Sequence, residues 1–251
     1  MPLYFIGLGL NNEKDITING LEAIRKSDLI YLENYTSVLN CDKPTLEKFY
    51  NKKIILANRK MVENDENEII ENSKTKNVAF LVVGDSLAAT THIDLYLRAK
   101  KERIKCFVIH NSSILTAIGV TGLQLYKFGK TTSIPLENEN VETPYDVLKG
   151  NLRLGLHTLF LLDLNPEENK FMTINDTIRY LLKIELKRNE KIFSEKTLCV
   201  GCAMVGSENQ LIKYGTGKEL LKFDFGKPVH CLIIPGKLHF MEEEVLSTYK
   251  I

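Results

Sequence analysis

The feature that most constrains this chain is a rhythm in its first part, where short apolar runs alternate with stretches of helical spacing. Residues 3–8, 29–32, 54–57, 78–83 and 105–109 are of strand length, and 78–83 is the strongest of them. Between them, 17–27 places Ile18, Leu21 and Ile24 on one helical face, and 66–74 reads as a weak helix. Thr91, with Asp94 three residues later, predicts a helix opened by a capping box. Strands separated by helices predict a mostly parallel sheet covered on both faces.

The second part changes pace. Residues 112–120 read as a helix, 131–134 as a strand and 137–143 as a polar loop. A strand at 157–162 and an amphipathic helix at 174–186 follow. Three strand candidates with short connections then come at 197–205, 210–215 and 229–234, which predicts a mixed, partly antiparallel sheet. The fold class is therefore α/β in two domains, 1–111 and 112–251, with no Gly/Ser/Pro-rich linker separating them.

Composition excludes several functions. The 251 residues are 44% hydrophobic, enough for real cores rather than a disordered chain. Lys plus Arg number 33 against 32 Asp plus Glu, so the basic excess of a generic nucleic-acid binder is missing. The densest basic stretch, Arg98, Lys100, Lys101, Arg103 and Lys105, reads as a solvated helix end running into a strand, with a docking patch for a macromolecular partner as the alternative. No apolar run approaches a bilayer span, and the opening residues do not read as a signal peptide. Five widely spaced cysteines, Cys41, Cys106, Cys199, Cys202 and Cys231, fit reduced thiols in the cytosol.

Four segments are candidates for chemistry. The first strand runs into Gly7 and Gly9, but Asn12 stands where a dinucleotide fingerprint needs a third glycine, so a tight turn is the default. Asp85 closes the run at 79–83 after Gly84, where ligands bind in α/β sheets; it reads as a ligand acceptor or as a turn aspartate. His92 reads as a packing or capping histidine. Ser112 and Ser113, after His110 and Asn111, lie between a strand and a helix and read as caps. Asp163 ends another strand, at 158–162. Cys199 and Cys202 sit in a strand, so they face opposite sides, and no second pair completes a zinc site. No nucleophile elbow or phosphate-binding loop is present, and no metal site is read.

Taken in order, however, YFIGLGL, DIT, GLEAI, YLENYTSVL, AFLVVGD, ATTH, IHNSSI, GLQLYKFGK, GLHTLFLLDL, LCVG and HCLIIPGKLH resemble the diphthine synthase family, of tetrapyrrole-methylase fold, over nearly the whole chain. The resemblance implies two α/β domains with a cofactor cleft between them, a homodimer, and S-adenosylmethionine as methyl donor, with S-adenosylhomocysteine as product. It implies a cytoplasmic enzyme acting on the 3-amino-3-carboxypropyl-histidine of elongation factor 2, with no direct nucleic-acid or membrane contact. YLENYTSVL and IHNSSI look like eukaryotic members, which also esterify the carboxylate; IIPGKLH looks archaeal. Four methyl transfers are therefore expected, with trimethylation alone as the alternative. Carried over by position, the cofactor contacts are Leu10, Asp85, Ala88, Ser113, Ile114, Leu162, Val205 and His230. Ser86 replaces a frequent proline and Ala88 a glycine of some members. No general base is assigned. A small-molecule methyltransferase of the same fold and a non-catalytic cofactor-binding partner are the competing readings; GLQLYKFGK and PGKLH argue against the first.

Overall fold

The computed structural model describes residues 1–63, 68–89 and 91–251. Positions 66 and 67 of the expected helix, and Thr90 of the ATTH segment, lie outside the described residues. The chain divides into two compact units, Met1–Ala117 and Ile118–Ile251. The expected division after Asn111 differs from this one by the turn and short helix up to Ala117.

The first unit is built on five strands: β1 (Pro2–Gly7), β2 (Leu29–Glu33), β3 (Ile55–Ala57), β4 (Val78–Val82) and β5 (Lys105–Ile109). They form one sheet in the order β3-β2-β4-β1-β5, and every pairing is parallel. All of β4 is buried, which is why its sequence is a continuous apolar run. Alternate residues feed opposite faces. Phe5, Tyr31, Phe80 and Val82 pack on one side, while Ile6, Ile30, Ala79 and Leu81 pack on the other. Burying a side chain such as Phe80 stabilises by about 1.5–3 kcal/mol.

Among the described residues, six α-helices accompany this sheet: α1 (Ile18–Lys26), α2 (Lys43–Tyr50), α3 (Arg59–Glu63), α4 (Glu68–Thr75), α5 (Ile93–Lys101) and α6 (Ile114–Ala117). Thr17 caps α1 by accepting from the Gly20 N–H at 3.1 Å. The capping box expected at Thr91 does not form. α5 starts at Ile93, and the Thr91 hydroxyl instead donates to Glu63 at 2.7 Å. His92 is fully buried and packs edge-on to Phe80 and Tyr35, the packing role expected of it.

The second unit holds β6 (Thr132–Ile134), α7 (Thr143–Arg153), β7 (Thr158–Leu162), β8 (Leu164–Asn165), β9 (Lys170–Phe171), α8 (Ile174–Arg188), β10 (Leu198–Ala203), β11 (Leu211–Thr216), α9 (Gly217–Leu220), β12 (His230–Ile234) and α10 (Phe240–Ser247). Its main sheet runs β11-β10-β12-β7-β6, antiparallel except for the β6–β7 pair. The expected mixed sheet is thus the one found. The expected helix at 112–120 is instead one α-turn, α6, followed by a 3-10 turn over Ile118–Thr121. Cys199 and Cys202 are free and buried; Cys202 faces Cys231 across β10 and β12. Among the described residues, no helix is long and apolar enough to cross a membrane.

Candidate active site

In the first unit, the carboxyl ends of β4, β1 and β5 lie side by side, because these strands are neighbours in the sheet. Gly7 ends β1 where a Cβ would lie 2.6 Å from the Gly84 carbonyl, so only glycine fits. Gly9 follows with φ +78°, which favours glycine. Its N–H donates to the Gly84 carbonyl at 3.2 Å, and the Gly84 N–H returns a bond to the Gly9 carbonyl at 2.7 Å. The two loops are thereby fastened together. Leu10 comes next; its N–H and that of Asn11 donate to Asp15 Oδ2 at 3.1 and 2.8 Å.

Asp85 is the centre of this corner and is buried. Its Oδ1 accepts from the Leu87 N–H at 3.1 Å. Its Oδ2 accepts from the Asn111 N–H at 3.0 Å and faces His110 Nδ1 at 2.8 Å. Burial pushes this carboxyl up, but the Leu87 and Asn111 N–H groups and His110 outweigh that and hold it below its ordinary value. The Asn111 amide donates to the Gly7 and Asp15 carbonyls, each at 3.0 Å, tying β5 to β1. Ser113 is buried, and its carbonyl accepts from Thr116 and Ala117, which opens α6. Leu10, Asp85, Ala88 and Ser113 therefore lie in the three adjoining loops, and Ile114 opens α6 directly after the third.

The other three expected contacts belong to the second unit. Leu162 ends β7, His230 begins β12 and Val205 follows β10. β12 is antiparallel to both neighbours, with Ala203 opposite His230 and Leu161 opposite Cys231. Hence Leu162, Val205 and His230 share one end of the sheet, and all three are buried. His230 Nε2 lies 3.1 Å from the Lys227 carbonyl, while Nδ1 is buried without a partner among the described residues.

A family model described as Tetrapyrrole (Corrin/Porphyrin) Methylases matches residues 2–221. The diphthine methyl ester synthase of Dictyostelium discoideum is 48% identical, over 100% of this chain and 99% of the relative. The diphthine synthase of Methanocaldococcus jannaschii is also 48% identical, over 98% and 97%. A crystal structure of diphthine synthase superposes with a TM-score of 0.92 at 37% identity, covering 100% of this chain and 96% of the other. The chain belongs to the diphthine synthase family of the tetrapyrrole methylases. It is accordingly a methyltransferase.

The family segments GLQLYKFGK and PGKLH meet in the second unit on a buried carboxylate, Glu242. Glu242 Oε1 accepts from the Gln124 N–H at 2.9 Å and lies 3.0 Å from His157 Nε2. Oε2 accepts from the His239 N–H at 2.7 Å and from Lys127 Nζ. The Gly236 N–H donates to His157 Nδ1 at 3.0 Å, so the proton of this neutral ring sits on Nε2 and points at Glu242. Burial alone would raise Glu242; Lys127, the two backbone donors and His157 hold it down at about 2. Sequence reasoning missed this node, and it gave no role to His110 or Asp15. His110 carried a signal, being an ionisable residue directly after β5.

Proposed function

We propose that this chain transfers methyl groups from S-adenosylmethionine to the 3-amino-3-carboxypropyl-histidine of elongation factor 2, in diphthamide biosynthesis. The observation that carries this reading is the convergence of the β1, β4 and β5 loops on Asp85, in a member of the diphthine synthase family. When bound, S-adenosylmethionine supplies an already activated methyl group and leaves as S-adenosylhomocysteine.

The residues suit such a ligand. In the first unit Leu10 and Ile114 offer apolar walls and Asp85 a carboxylate acceptor. In the second unit Leu162 and Val205 are apolar, and His230 Nδ1 is a buried polar atom without a partner among the described residues. The N–H groups that open α6, beside Ser113 and Ile114, have no partner within the helix. Ala88 contributes backbone in the loop after Asp85. None of the eight positions is Lys or Arg, which suits a donor without phosphate. The work left to the protein is alignment and exclusion of water.

The reaction runs to four methyl groups, three on the amine and one on the carboxylate. The enzyme works as a homodimer, in the cytoplasm where elongation factor 2 acts. Incubation with labelled S-adenosylmethionine and elongation factor 2 carrying the unmethylated precursor is expected to label the modified histidine. An unlabelled factor overturns the reading. Mass spectrometry of the labelled residue counts the transfers, and light scattering tests the dimer.

A further inference from the structure

Amine methylation needs a proton acceptor, because an amine that starts as ammonium has no lone pair with which to attack. The structure offers one candidate at the Asp85 corner. His110 directly follows β5, and its side chain is 72% exposed, whereas that of Asp85 is 10% exposed. His110 Nδ1 lies 2.8 Å from Asp85 Oδ2. A carboxylate at that distance holds a proton on Nδ1 in the neutral ring, which leaves the Nε2 lone pair free and turned away from the pair. Asp85 is itself fixed by the Leu87 and Asn111 N–H groups, so the ring is oriented by a rigid acceptor. Among the described residues, the other titratable group hydrogen-bonded into this corner is Asp15, whose carboxylate is taken up by Leu10 and Asn11.

We propose that His110 is the general base that takes the proton from the substrate amine. The inference rests on the substrate reading above. His110 Nε2 accepts the ammonium proton and the nitrogen recovers its lone pair. The N–C bond then forms as the methyl–sulfur bond breaks, and that bond's electron pair stays on sulfur. His110 afterwards releases its proton to solvent, ready for the next transfer. A carboxylate acceptor releases no proton and makes no use of this residue, so the role belongs to the amine steps.

Two measurements test it. Nitrogen-15 spectra of the protein without ligands should show neutral His110 protonated on Nδ1, and Asp85→Asn should abolish that preference. A ring protonated on Nε2 overturns the proposal. In the second, His110→Asn keeps a donor in reach of Asp85 but removes the base. The variant should bind S-adenosylhomocysteine like the parent and lose roughly a hundredfold in amine methylation near neutral pH. The loss should shrink in alkaline buffer, where the substrate arrives as the free amine. An undiminished rate, or a loss of equal size at both pH values, overturns the role. A parent enzyme that labels nothing refutes the substrate reading instead, while the spectra still judge the tautomer.

Discussion

Each unit of this protein contains a histidine paired with a carboxylate, and the two pairs are built to opposite ends. Asp85 and His110 stand 2.8 Å apart, and Glu242 and His157 stand 3.0 Å apart. In the second pair both side chains are fully buried and both ring nitrogens are engaged, one by Gly236 and one by Glu242. That imidazole has no atom left for a substrate. In the first pair the carboxylate is buried while the ring is exposed, and one nitrogen is uncommitted by the pairing. A histidine–carboxylate pair is thus read by what its second nitrogen does: a bond there makes a structural brace, and a free lone pair makes a reagent.

The comparison can be broken most forcefully at Glu242. Glu242→Ala leaves His157 buried without its carboxylate and takes one acceptor from the half-buried Lys127, and should cost about 3–5 kcal/mol in denaturant unfolding. Acid should act through the same node. The folded protein holds Glu242 at about 2, below its ordinary 4.5, so its contribution is full above that ordinary value. It is lost as pH falls from about 4.5 to about 2. His157 is also depressed, by burial, so protonation of the unfolded chain begins to erode stability once pH falls below 6.5. Unfolding midpoints measured across this range should drop with pH in the parent, and the loss below 4.5 should flatten in Glu242→Ala.

At the other pair the expected effects move from stability to binding. Asp85→Ala removes a carboxylate acceptor and should weaken S-adenosylmethionine by roughly ten- to a hundredfold in calorimetry, the worth of a charged hydrogen bond. Unchanged affinity in a folded Asp85→Ala protein would count against Asp85 as an anchor. The smallest effect is reserved for His110→Asn, which should leave the unfolding free energy within about 0.5 kcal/mol of the parent, as at other exposed sites. A cost as large as that at Glu242 would mean that His110 is a brace too.

What the sequence disclosed follows from what periodicity can report. β4 and its neighbours bury both faces, so apolar runs announced them. α2 was missed because it buries only Leu46 and Tyr50. α7 hides its face behind Asn151, and α10 behind Glu242, since a buried polar residue breaks the apolar stripe. Asp85 was legible because it closes a buried strand at a predictable end of the sheet. Its partner was not, because His110 lies 25 residues away and meets it only through strand order. Glu242 was less legible still: Lys127 is 115 residues distant, and nothing in the local sequence marks a glutamate near the chain end as buried.

The most direct test of the central claim, that methyl transfer is organised at the β1, β4 and β5 loop ends, is a crystal structure with S-adenosylhomocysteine bound. The ligand should lie against Leu10, Asp85, Ser113 and Ile114, with His110 still held by Asp85. A ligand seated elsewhere, with these loops untouched, would contradict the account.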